Sequence, residues 1–330
     1  MQRHRATVAA LLLLLGACGQ DASPAADPAE PTTVPGVLRV YTTVTQDTVD
    51  AVVDGFEAAN EGVTVEVFRA PTGEFNARVA AERRDGAIRA DVFWLTDPLS
   101  MLQFEADGLL ASWTPTGAEV LDEDHRSGTF WGTRVLNLVI VAAADLDPEP
   151  TSWWDLADPA YADGVAIPDP AFAGSAFGAL GYLALDDAHG FELYAAIAAN
   201  GGVQVNAPGE VVSGVAEGRF VAGMTLDRIA RDAVEDGSPV ALIWPEPGAI
   251  AVHSPIAVLE GAGSAALAER FVEHVLSAPA QAAIAATGWQ PVHPDVAWPH
   301  ATGPAVVPDW GQAFARQDDL LDRYRAVFGG

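Results

Sequence analysis

Hydroxyls and glycines at places where helices begin are the residues of this chain best suited to chemistry. Gly174-Ser175-Ala176 opens a stretch of small residues, directly after the apolar run Val165-Ala166-Ile167 and its break at Pro168-Asp169-Pro170. A strand followed by a glycine at a helix start presents free backbone N–H groups and a positive dipole end to whatever lies in front. Thr42-Thr43-Val44-Thr45, Ala70-Pro71-Thr72-Gly73 and Trp94-Leu95-Thr96 share this character, each ending an apolar run with hydroxyls and little charge. Neutral hydroxyls and N–H groups can hold a phosphate or phosphonate oxyanion without a matching cation. They can equally satisfy the strand-end backbone groups beside them. Trp94 could stack on a sugar, face a cation, or simply pack at the rim.

Other chemistries find less support. There is no G-x-S-x-G elbow, H-E-x-x-H pair or Walker loop. The seven histidines are scattered, and His293-Pro294-Asp295 alone is not a ligand set. Carboxylates abound, yet nothing singles out two of them as a glycosidase pair. No enzyme activity and no cofactor are expected. Cys18 is the only cysteine, so neither disulfides nor thiolate metal clusters hold the fold.

The elements that must position these residues can be read from periodicity. Val37 to Thr43 is strand-like. Between Gln46 and Asn60, Val49, Val52, Val53 and Phe56 fall on one helical face. Val63 to Phe68 alternates as a second strand, Thr72 can cap a helix ending near Arg84, and Asp91 to Leu95 is a third strand. Strand–helix–strand order with short links implies a parallel sheet, and ligands then sit beyond the carboxyl ends of its strands. Ser152 and Asp155 form a capping box for a short helix that Asp158-Pro159 ends. Arg134–Val141, Val221–Thr225, Val240–Trp244 and Val252–Leu259 read as further strands. Leu267, Phe271 and Val275 line one helix face, Gly288 ends a helix, and Gln312 to Phe328 closes the chain as an amphipathic helix.

Composition bounds the setting. With 330 residues, half of them hydrophobic, the chain can bury sizeable cores and form two lobes. Arg3, Arg5, the apolar run Val8–Leu15 and Leu15-Gly16-Ala17-Cys18 read as a lipoprotein signal, with Cys18 the acylated residue. Asp21 to Pro35, rich in Ala, Pro, Asp and Thr, reads as a tether. The net charge is −28, and all 17 basic residues are arginines. So acidic a surface argues against nucleic acid, whose binding depends on neutralising phosphates, and suits a solvated extracellular protein.

The stretch from Pro150 to Phe177 resembles the second lobe of ABC-transporter solute-binding proteins of the ferric-ion, aminoethylphosphonate and sugar-phosphate group. It carries that group's P-x-S-W-x-D-L-x-D-P-x-Y pattern, its A-x-P-x-P strand exit and its Gly-Ser helix start. Leu38–Thr43, Arg89–Trp94 and Pro245–Ile250 resemble its other landmarks, in the same order, so the likeness spans Leu38 to Val292. The resemblance implies an α/β, two-lobed periplasmic-binding-protein-like fold of type 2, each lobe a mixed sheet flanked by helices, joined by two crossing strands. It divides the chain into a signal peptide (1–17), a lipidated tether (18–36), lobe 1 (37–133 plus 252–330) and lobe 2 (134–251).

It also implies a function: an extracytoplasmic, membrane-anchored, monomeric lipoprotein that captures a small polar ligand between closing lobes and delivers it to ABC permease subunits. The alternatives are a ferric-ion or ferric-chelate binder of the same fold and a sensory lipoprotein without transport. Ferric members use an adjacent tyrosine pair in the second lobe, where this sequence has Met224-Thr225-Leu226-Asp227-Arg228. Tyr41, Tyr161, Tyr182, Tyr194 and Tyr324 include no two neighbours, so no metal ligands are assigned. The expected ligand set is Thr42, Thr43, Thr45, Thr72, Gly73, Trp94, Thr96, Gly174, Ser175, Ala176, Thr225 and Asp227. They would hold a phosphonate or phosphorylated compound, with Asp227 taking an ammonium and Arg228 or Arg134 a second anion.

Overall fold

The computed structural model describes residues 36–329. The expected signal segment, Cys18 and the tether up to residue 35 lie outside the described residues. Gly36, assigned to the tether by sequence, is already the first residue of a strand, because its backbone pairs alongside Val63.

The first part of the chain alternates as expected: β1 (Gly36–Thr42), α1 (Gln46–Ala59), β2 (Val63–Arg69), α2 (Thr72–Arg84), β3 (Val92–Trp94) and α3 (Pro98–Ala106). β1 lies between β2 and β3 and is parallel to both, so their carboxyl ends share one edge. Val49, Val52 and Phe56 of α1 are buried, and Phe56 meets Phe271 edge-on at 5.1 Å. Phe-sized burial is worth about 1.5–3 kcal/mol per side chain, which fixes α1 against the sheet. The residue before α2 is Pro71; Thr72 is the first helical residue and makes no cap bond.

The middle of the chain adds β4 (Trp131–Ala143), β5 (Val165–Pro168), α4 (Gly174–Leu183), α5 (Gly190–Ala199), β6 (Val203–Val205), α6 (Pro208–Ala216), β7 (Ala222–Leu226), α7 (Asp227–Glu235) and β8 (Val240–Ile243). The capping box at Ser152 and Asp155 is present, on a short 3-10 turn over Trp153–Ala157. The last part holds β9 (Ala249–Val258), α8 (Ala265–Leu276), α9 (Ala278–Ala286), β10 (Gln290–Pro291), β11 (Ala305–Val306), α10 (Trp310–Ala315) and α11 (Gln317–Phe328). Gly288, with φ of +86°, follows the last turn of α9, where a left-handed backbone favours glycine.

All strands join one mixed sheet in the order β2-β1-β3-β9-β4-β7-β5-β6, with β8 and β10 paired to β4 and β11 to β9. Two long antiparallel strands, β4 and β9, sit at its middle and connect the two halves. β9 pairs with β3 through Ile256–Val258 and with β4 through Ile250–His253, while the far end of β4 pairs with β7 and β8. This is the two-lobed α/β architecture, with the register of β4 and β9 shifting between Gly132 and Val135.

The closing segment departs from the expected single helix. Arg316 breaks it, so α10 and α11 are separate. α11 packs on α5 and α4, which follow the first crossing strand, although sequence grouped residues 252–330 with the first lobe. The reason is aromatic packing: Tyr324 of α11 meets Tyr194 of α5 edge-on at 5.2 Å. Among the described residues no helix is long and apolar enough to cross a membrane.

Candidate functional site

The carboxyl ends of β1, β2 and β3 face the starts of α4, α6 and α7 across a cleft of about 740 Å³. Seven of the expected residues line it: Thr43, Thr45, Thr72, Gly73, Thr96, Gly174 and Ser175. The helices that begin there, α2, α4, α6 and α7, carry no side-chain cap at the residue before them, and the first N–H groups of α2 and α4 keep their donor capacity, whereas α6 starts with Pro208, which has none. Thr43 and Thr96 share a hydrogen bond of 3.1 Å, as do Thr45 and Thr48. The Ser175 and Thr72 hydroxyls make no hydrogen bond to another described residue.

The other expected residues are held away from the cleft. The Thr42 hydroxyl donates to the Trp94 carbonyl at 2.6 Å and accepts from the Val44 N–H, which shapes the loop after β1. Trp94 is fully buried and its indole donates to the Thr133 hydroxyl at 2.9 Å, so it packs rather than stacks on a ligand. Thr225 donates to the Pro208 carbonyl at 2.9 Å, pinning the start of α6 to the end of β7. Ala176 is buried inside α4. Asp227 is buried and takes its ion pair from Arg231 of the same helix at 3.3 Å. Burial pushes the Asp227 carboxyl up, with Arg231 opposing. It does not face an incoming ammonium.

What sequence underweighted is the cation at the floor. Arg134, on β4, is fully buried, yet among the described residues no carboxylate pairs with it. One terminal nitrogen donates to the Thr48 hydroxyl at 3.3 Å, and Nε has no partner. The guanidinium lies 4.4 Å from the centre of the Trp289 ring. Burial pulls its pKa down to about 9, with Asp47 opposing and Arg228 and Arg69 adding to the fall. Arg69 also lines the cleft, exposed and with no carboxylate partner among the described residues; its Nε donates to the Val44 carbonyl at 2.8 Å. Arg228 completes the group but is paired with Asp47 at 2.7 Å and with Asp232 at 2.9 Å. The lining carboxylates, Glu74 and Glu210, are exposed at the rim. Positive charge is therefore deepest, which suits an anion entering from outside.

Asp97 is a second buried ionisable group, behind the Thr96 and Gly174 that line the cleft. It is fully buried; Oδ1 accepts from the Ser100 N–H at 2.7 Å to cap α3, while Oδ2 has no partner. Oδ2 lies where a Cβ on Gly174 would be, 2.5 Å from that position. The group nearest the start of α4 is thus the chain's own carboxyl. Burial pushes it up to about 6, against hydrogen bonds from Ser100 and Leu99. Unfolded, the same carboxyl titrates near about 3.9. Between those values the unfolded chain releases a proton that the folded one keeps, so the folded state loses stability as pH rises through that window. Asp97→Asn retains the capping oxygen and is expected to exceed wild type above about pH 6 by on the order of 2 kcal/mol. Below about pH 4 it should show no advantage. Urea unfolding on both sides of the window checks this; a variant weaker at neutral pH would contradict it.

A second depression, about 800 Å³, lies near the amino ends of β1 and β3 and is lined by Arg39, Arg83, Arg89, Asp91 and Glu260. Its Arg39 and Arg83 are already paired with Glu66 and Asp107. Among the described residues no group of three or more His, Cys, Asp or Glu is placed to hold a metal ion.

The family model described as bacterial extracellular solute-binding protein matches residues 38–290. No curated protein matches the sequence. Among solved structures, the substrate-binding protein of an ABC transporter from Agrobacterium tumefaciens superposes with a TM-score of 0.79 at 18% identity, covering 90% of this chain and 95% of that one. Iron-bound HitA from Pseudomonas aeruginosa gives 0.74 at 19%, over 89% and 99%. AfuA from Actinobacillus pleuropneumoniae, solved with fructose-6-phosphate, gives 0.74 at 18%, over 88% and 98%. At such identities the likeness is one of fold.

Proposed function

This chain belongs to the bacterial extracellular solute-binding proteins, and we propose that it captures a small organic anion, a phosphonate or phosphorylated compound, for an ABC importer. One observation carries the choice of an anion: Arg134 is buried at the cleft floor with no carboxylate partner among the described residues, in a chain of net charge −28. A chain with so many carboxylates could have neutralised that charge internally; leaving it open keeps it for a ligand. Arg69 and the uncapped helix starts would add donors, and Ser175, Thr72 and Gly73 would meet the remaining oxygens. Closure of the two halves about β4 and β9 would bury the ligand.

The ferric alternative is favoured by the neighbouring iron-bound structure, and it is separable by experiment. Burial pushes all five phenols up. None of the five lines the cleft. Titration calorimetry with methylphosphonate and with ferric citrate tests the choice. The expected result is saturable phosphonate binding and no visible charge-transfer band on adding iron. A band that disappears in a Tyr182 variant, with no phosphonate heat, would reverse it.

Extracytoplasmic location follows from the family; the lipid anchor at Cys18, the monomeric state and the boundaries 37–133 plus 252–330 and 134–251, with α11 reaching across to pack on α5 and α4, are part of the proposal. Cys18→Ser is expected to move the protein from the membrane to the soluble fraction, because acyl chains and not residues 11–15 would hold it. Unchanged membrane association would contradict the anchor. A sensory role without transport would leave ligand binding intact and uptake absent in cells carrying the importer.

A further inference from the structure

Away from its arginines, its threonines, Ser175, Asn206 and the rim carboxylates, the cleft wall is apolar. Leu136 of β4, Leu226 at the end of β7, Ile229 in α7, Pro208 at the start of α6 and Phe172 before α4 all face it. Within the wall, the hydroxyls of Thr43 and Thr96 are bonded to each other, and Thr45 is bonded to Thr48. A polyol phosphate closed into this space would bury several hydroxyls against Leu136, Leu226 and Ile229. Each one left without a partner loses its water for nothing. An apolar body in the same place would gain by leaving water.

Phe172 makes the point independently. It is 49% exposed, an unusual state for a phenylalanine beside an apolar wall. A Cβ on Gly73 would lie 3.6 Å from its Cδ1 and 3.3 Å from the Ala171 carbonyl. The ring therefore reaches from the segment before α4 to the start of α2 and spans the cleft mouth. Such a ring is placed to cover an apolar group lying beneath it.

Resting on the assignment of an anionic ligand, we infer that this ligand is amphipathic: a phosphonate or phosphate carried directly on an apolar or aromatic body, with no polyol chain. Its charged head meets Arg134 at the floor and the exposed Arg69 above it. Its body lies against Leu226 and Ile229 and beneath Phe172.

The test is titration calorimetry on the full chain with four probes: phenylphosphonate, methylphosphonate, glucose 6-phosphate and inorganic phosphate. Phenylphosphonate is expected to bind about tenfold to a hundredfold more tightly than methylphosphonate, as burial of a ring-sized apolar group implies. Phe172→Ala and Ile229→Thr should each weaken phenylphosphonate at least fivefold more than methylphosphonate, roughly the loss of part of that contact. Phe172 is half-exposed, so its variant is expected to fold even if the other does not. Glucose 6-phosphate or phosphate binding more tightly than phenylphosphonate overturns the amphipathic ligand and leaves the anionic one standing. Failure of all four probes overturns both.

Discussion

Replacing Arg134 with Gln is expected to remove most anion binding while leaving the free protein at least as stable as wild type. Truncating one member of a buried, hydrogen-bonded charge pair costs about 2–5 kcal/mol. That corresponds to a rise in Kd of roughly thirtyfold to several thousandfold. The opposite sign for stability comes from the same burial. In the free protein the guanidinium has one side-chain hydrogen bond, an unpartnered Nε and, among the described residues, no carboxylate. A buried charge so placed is held at a desolvation cost, and its pKa near 9 reports that cost. Losing the contact with the Trp289 ring subtracts on the order of 1–2 kcal/mol from the gain. Calorimetry and urea unfolding on the same preparation separate the two effects. A large loss of stability with unchanged affinity would make Arg134 a structural residue.

Gly174→Ala is expected to destabilise the fold and loosen the seam beside the cleft. The added Cβ would meet Asp97 Oδ2 at 2.5 Å and Thr96 Oγ1 at 2.9 Å. Asp97 is not free to withdraw, because its other oxygen caps α3 through the Ser100 N–H. Overpacking of this kind costs about 1–3 kcal/mol. At roughly 2–4 °C per kcal/mol for a chain of this size, the unfolding midpoint should fall by several degrees. Asp97→Ala in the same background removes the obstructing oxygen and should recover part of the loss, which a purely helical effect of alanine would not explain. A double variant as weak as the sum of the two single ones would contradict the contact.

The outline of the fold was legible because period is a local property. Val49, Val52 and Phe56 announce the buried face of α1, and Leu267, Phe271 and Val275 that of α8. The cleft-lining set was legible at strand ends and helix starts, where Thr43, Thr72, Gly73, Thr96 and Ser175 all lie. Which way a side chain points at such an end is not a local property. Trp94 and Asp227 occupy a strand end and a helix start, yet each turns inward to Thr133 and Arg231. Arg134 posed the reverse problem. It sits in the run Arg134-Val135-Leu136-Asn137-Leu138, where alternation puts Arg134 and Leu136 on one face. Only the pairing of β4 with both β9 and β7 makes that face the floor of the cleft. Trp289 follows the end of α9 and Arg69 ends β2, and nothing in their neighbours signals that both line the same cleft.

The central claim is that Arg134 waits for an anion. The most direct measurement is a crystal structure of wild type with phenylphosphonate or whichever phosphonate binds most tightly in titration. The expected result is phosphonate oxygens within hydrogen-bond distance of Arg134 and Arg69. A phosphonate bound outside the cleft, or inside it with Arg134 still lacking a partner, would contradict the claim.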